Sequence, residues 1–308
     1  MSLSENNEEN KIEEIFPSDF CKLTEQIVES LANQDCFTID DYIRWKAFKD
    51  ISIKYNISLD LFRNIEYLFT DKELDLNKSD ILLDIGTGRS VFPRYLLRNF
   101  QIPLTICDYD NYGFDTQKYY FDGFDLKKIT LHQADASKSG LKSESFTKIS
   151  AISAIEHFLD NSDSEFIKEA YRLLKPGGSL VVTVPYSHEY REDENVPYYH
   201  GGFERRYNEK ALKERIFSAA PFKIKTLKFM NPQNNDFIKN VIEKYNDIGV
   251  YFGKWYENEN YIKKHLDSIW FTLLCIKFDS QPTKESFACC FSLIKEEKSI
   301  KKLFDFFK

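Results

Sequence analysis

The stretch ILLDIGTGRS, residues 81–90, places a carboxylate, Asp84, ahead of two glycines one residue apart, Gly86 and Gly88. An apolar run that stops at an acid and turns through glycine spells a strand entering a ligand-binding loop and then a helix. A purely structural strand–helix turn uses the same letters, so the residues downstream must decide. A phosphate-cradling P-loop ends in Gly-Lys-Ser/Thr, which Arg89–Ser90 does not supply. A dinucleotide fingerprint needs glycine at position 91, where Val91 stands. Three histidines, His157, His188 and His200, are the candidate general bases, because imidazole titrates near the working pH of a cell. Arg205 and Arg206 offer a clamp for an anionic substrate, with a salt-bridged helix entry as the competing assignment. Tyr186 and Tyr199 either line a substrate pocket or pack.

These residues need a scaffold, and the hydrophobic periodicity supplies one. ILLDI, LTICD, KKITLHQ, FTKISAIS and SLVVTVPY read as five strands; VFPRYLLRNF and SEFIKEAYRLL read as helices between them. Such alternation predicts an α/β fold with a mostly parallel sheet and helices on both faces, its ligand lying beyond the carboxyl ends of the strands. Residues 187–207 read as a long functional loop, FKIKTLKFM and DSIWFTLLCIKF as two further strands. The expected organisation is a disordered tail at 1–15, an N-terminal helical segment at 16–73, a main domain at 74–283 with a helical insertion at 231–265, and a C-terminal helical tail at 284–308.

Further signals fall at the expected strand ends. Asp108 closes the second strand and Asp135 follows the third in LHQADA; SAIEHF ends the fourth, and LLKPGGSL leads into the fifth. On these motifs the chain resembles the class I S-adenosylmethionine-dependent methyltransferases, in particular the small-molecule group with an E-H pair after strand four and an L-K-P-G-G turn before strand five. The resemblance spans about residues 74–215 and two closing strands. It implies a Rossmann-like, seven-stranded sheet with the last strand antiparallel. It also implies S-adenosyl-L-methionine as cofactor, with Asp84 orienting the methionine amino group and Gly86 and Gly88 admitting the ligand. Asp108 would then take the ribose diol, and Asp135 with the backbone of Ala136 the adenine. Ser90 stands where families of this group often have a third glycine; at a helix start serine is acceptable.

Composition narrows the partners. Hydrophobic content of 42% and charged content of 30% suit a globular protein, and a net charge of -7 disfavours nucleic acid as the main partner. No apolar run reaches membrane-spanning length and no signal peptide is evident, so a cytoplasmic enzyme is expected. Six cysteines without C-x-x-C spacing read as free thiols, and no metal-ligand set stands out. The missing [Asn/Asp]-Pro-Pro-aromatic motif and Pro-Cys nucleophile disfavour two DNA-methylating classes. What remains is methyl transfer to a small or medium acceptor, with oxygen favoured by the histidines. A protein or peptide methyltransferase and a non-catalytic cofactor-binding scaffold are the alternatives.

Overall fold

The computed structural model describes residues 61–88, 90, 92–109, 111–121, 125–194, 202–232 and 276–297. Helix α1 (Leu61–Leu74) leads into β1 (Leu82–Ile85), α2 (Phe92–Phe100), β2 (Leu104–Asp108), α3 (Tyr112–Tyr120), β3 (Ile129–Gln133) and β4 (Phe146–Ile152). Then follow α4 (Ser162–Leu173), β5 (Leu174–Pro185), β6 (Arg191–Asp193), β7 (Glu204–Arg206) and α5 (Glu209–Ala211), which continues as a π-helical turn, Leu212–Phe217. Strands β8 (Lys223–Pro232), β9 (Ile276–Asp279) and β10 (Ala288–Ile294) complete the order.

The main sheet runs β3-β2-β1-β4-β5-β10-β8-β9. Strands β1 to β5 pair in parallel, and β10 runs antiparallel to both its neighbours. The order reverses between β1 and β4, and such a switch point opens a crevice at the carboxyl ends of the strands. β1 sits beside it because all four of its residues are buried, as a central parallel strand covered on both faces requires.

Two expectations are corrected here. The sheet has eight strands, not seven: β9 adds antiparallel to the outer edge of β8. Part of the expected C-terminal helical tail is strand β10, inserted between β5 and β8, with Ala288 to Leu293 buried. ACCFSLI is apolar on both faces of the strand, and for so short a run periodicity does not separate strand from helix. Residues 1–60, most of the expected 231–265 insertion and the end of the tail lie outside the described residues. Cys107, Cys289 and Cys290 are free and buried.

The 187–207 loop carries the β6–β7 ribbon, and a buried ionic cluster ties it to α4. Asp163, in the first turn of α4, accepts from Tyr207 Oη at 2.9 Å, from Arg205 Nη1 at 3.3 Å and from Arg215 Nε at 2.8 Å. Arg215 Nη2 reaches its other oxygen at 2.8 Å.

Candidate active site

Asp84 is 3% exposed, and the parallel register sets it beside Ser150 on β4. Ser150 Oγ donates to one carboxylate oxygen and Thr87 Oγ1 to the other, both at 2.5 Å. Burial outweighs these donors and, with the nearby charge of Asp108, pushes the Asp84 carboxyl from 3.8 up to about 6.

The two glycines serve different ends. Gly86 has φ +63, and a Cβ there would stand 2.6 Å from the Cβ of Ala154, so the turn closes tightly on the end of β4. Gly88 has φ +52 and nothing within 4 Å of where its Cβ would be. Its NH donates to Asp108 Oδ2 at 2.9 Å, so bare backbone beside a carboxylate faces open space. That space, which a Cβ would fill, fits a ligand seated on the loop.

The ends of the loop are pinned from two helices. Ser90 Oγ accepts from Phe92 NH at 3.1 Å, capping α2, and donates to Tyr67 Oη on α1 at 2.7 Å. Gln117 on α3 is fully buried and donates through Nε2 to the carbonyls of Gly88 (3.0 Å) and Ser90 (2.8 Å). Gly113, one turn earlier, approaches so closely that a Cβ would stand 2.5 Å from the Gly88 carbonyl oxygen. None of these partners is part of a sequence motif. Only the Asp84–Thr87 spacing of three residues, typical of a turn closed by a side chain, hints at one of them.

Asp108 also accepts from Tyr109 NH at 2.8 Å, and the Tyr109 side chain is 77% exposed beside it. Asp135 takes both the NH and the hydroxyl of Ser137 on one oxygen, which caps the short turn Ala136–Lys138. Glu169 on α4 holds the end of that turn through the NH and hydroxyl of Ser139, at 3.2 and 2.7 Å. Arg172 and Ser139 keep the Glu169 carboxyl below the usual range.

His157 ends the turn Ile155–His157 after β4. Its Nδ1 lies 2.7 Å from the Phe203 carbonyl oxygen, which can only accept, so Nδ1 carries a proton and the neutral ring keeps its lone pair on Nε2. Glu156, buried beneath it, places a carboxylate oxygen 3.8 Å from Nε2. His188 is exposed after β5, while Tyr199 and His200 lie outside the described residues.

Two expected substrate residues prove structural. Arg205 is 1% exposed and spends its guanidinium on Tyr190, Glu192, Asp163 and the carbonyls of Phe158 and Asp160. Tyr186 is 2% exposed and packs edge-on against Phe229 in the core. Arg206 is partly exposed and pairs with Glu204 at 3.1 Å. Among the described residues no His, Cys, Asp and Glu group could hold a metal ion, and no helix is long and apolar enough to cross a membrane.

Residues 83–182, from β1 into β5, match the family model described as a methyltransferase domain. With the parallel sheet and the glycine loop at its switch point, this match identifies a methyltransferase domain within the chain. No curated protein sequence matches it. Among solved structures, the [4+2]-cyclase SpnF is similar at TM-score 0.50 and 16% identity, over 76% of this chain and 82% of that one. A chain of the Haloferax volcanii complex containing the Trm112 methyltransferase activator gives TM-score 0.50 and 14% identity, over 75% and 91%. Phosphoethanolamine N-methyltransferase 2 of Haemonchus contortus gives 0.48 and 16%, over 76% of this chain and 53% of that one.

The two glycines lead to separable outcomes. Gly86→Ala is expected to lose about 2–4 kcal/mol, combining backbone strain with the Ala154 clash, and to lose cofactor binding. Gly88→Ala meets no protein atom and should cost only the backbone term of about 1–2 kcal/mol while still abolishing binding. Thermal melts with calorimetric titration of S-adenosylhomocysteine check both; a Gly88→Ala variant with wild-type affinity would remove the ligand from this cradle.

Proposed function

We propose that the enzyme moves a methyl group from S-adenosylmethionine to an oxygen atom of a small or medium acceptor in the cytoplasm. S-adenosylmethionine supplies a methyl carbon already activated by its sulfonium, so the protein's task is alignment, exclusion of water and removal of one proton. The open backbone at Gly88 beside Asp108 supports seating the ribose there. Asp135 and the backbone of Ala136 would take the adenine, and Asp84 would act on the amino-acid end through the loop it braces.

The observation that carries the oxygen reading is the His157–Phe203 contact. A carbonyl-held Nδ1–H orients the ring and leaves Nε2 as the basic atom at the end of β4, where a hydroxyl acceptor needs a base. An amine acceptor can attack as the free base and needs no such residue. His188, His200, Tyr199 and Arg206 remain candidates for the acceptor side.

The test measures S-adenosylhomocysteine release against a panel of hydroxylated and amine-bearing small molecules. Turnover of a hydroxyl acceptor that falls roughly 10²–10⁴-fold in His157→Gln, with cofactor affinity retained, is the expected result. Turnover confined to amines, or to peptides, would overturn the acceptor assignment.

A further inference from the structure

Helix α1 lies outside residues 83–182, yet two consecutive side chains on it reach the cofactor loop and the end of β4. Tyr67 meets Ser90, as described above. Glu66, 4% exposed, accepts from Ser153 Oγ at 2.6 Å. Ser153 is a non-glycine residue in the left-handed region, φ +42, with its NH held by Thr183 Oγ1 at 3.0 Å. The next residue, Ala154, is the one against which Gly86 closes. Glu66 therefore stands at the end of β4, held by the residue next to Ala154. Its charge also bears on Cys290, the partner of Thr183 in the β5–β10 register.

The sheet order gives this placement a meaning. Strands run β3-β2-β1-β4, with Asp135 after β3 and Asp108 at the end of β2. A ligand with adenine at β3 and ribose at β2 lays its sulfonium and amino-acid end over β1 and β4. Asp84, another acid near that end, is buried with each oxygen bound to a neighbouring hydroxyl, and Glu156, also buried there, lies beside His157. Resting on the cofactor reading above, we infer that Glu66 binds the ammonium of the cofactor's amino-acid end, oriented for it by Ser153. The helix ahead of the methyltransferase domain is then a wall of the cofactor site. Ser153 reaches Glu66 on α1 from a left-handed backbone, a strained conformation of the kind that clusters at ligand sites.

Three ligands and two variants test this by calorimetric titration. S-adenosylmethionine and S-adenosylhomocysteine both carry the ammonium, and 5′-methylthioadenosine lacks it. Glu66→Gln keeps the shape and a partner for Ser153 but loses the charge. It is expected to bind the first two about tenfold or more weakly and methylthioadenosine as the wild type does. Ser153→Ala, which frees the carboxylate to turn, should show the same ligand pattern with a smaller loss. Equal losses for all three ligands, or a loss confined to S-adenosylmethionine, would overturn the ammonium assignment. A wild-type chain that binds none of the three overturns the cofactor reading, and the role of Glu66 with it.

Discussion

Asp163→Ala is expected to destabilise the fold by about 3–5 kcal/mol, because it strands two arginines beside α4 without their shared carboxylate. Arg205 is 1% exposed and Arg215 only partly accessible, so water cannot replace what Asp163 provides. Tyr207 loses its acceptor in the same step. A loss of that size should lower the melting temperature by on the order of 10 °C. The loop bearing Phe203 is anchored two residues away at Arg205, so the carbonyl that orients His157 is loosened as well. Removing Asp163 and both arginines together should cost less than removing the acid alone, since a buried ion pair is worth little beside well-packed apolar groups. Thermal melts of Asp163→Ala and of a triple variant with Arg205→Met and Arg215→Met check this; a triple variant less stable than the single one would contradict it.

Asp84 leads to the second large effect, and its sign is opposite to that of most carboxylates. Its folded-state pKa, about 6, lies above the value of 3.8 for the free side chain, so the folded state holds the proton longer than the unfolded state. At about 1.4 kcal/mol per pH unit, ionising Asp84 takes about 3 kcal/mol from the fold. That contribution is fully present below pH 4, declines as pH rises, and is gone once pH passes about 6. Asp84→Asn should accordingly gain on the wild type between pH 4 and 7 and stand above it at pH 7.5. The gain comes at the site: the variant should bind S-adenosylhomocysteine more weakly, a stability–function trade-off of the usual kind. Melts of both proteins from pH 4 to 8 decide it, and a stability difference that does not change with pH would contradict the assignment.

The strand ends that carry the proposed cofactor residues were largely legible in the chain, and the reason is physical. Asp84, Gly86, Gly88, Asp108 and Asp135 sit at ends of strands whose apolar runs identify them locally, and a parallel sheet brings all its carboxyl ends to one edge. Strand-end residues therefore converge without any long-range coincidence. The acceptor side was less legible because its residues are placed by contacts that cross the sequence. Arg205 looks like a surface clamp until Asp163, 42 residues away, takes it into the interior. Tyr186 sits in a polar loop by letter and in the core by structure, because directly after β5 its ring packs edge-on against Phe229.

By itself the sequence determined the strand–helix alternation, the glycine turn and the acids around it. Those depend on residue type and short spacing: glycine where φ is positive, carboxylate where a strand stops, apolar runs where both faces are covered. Only the tertiary structure decided which charges face the site. It buried Arg205, set Ser150 and Thr87 on Asp84, brought Gln117 to the loop from α3, and carried Glu66 in from a helix ahead of the domain. It also turned ACCFSLI into a central strand, since a short run that is apolar all round takes the form of whatever it packs between, and here that is β5 and β8.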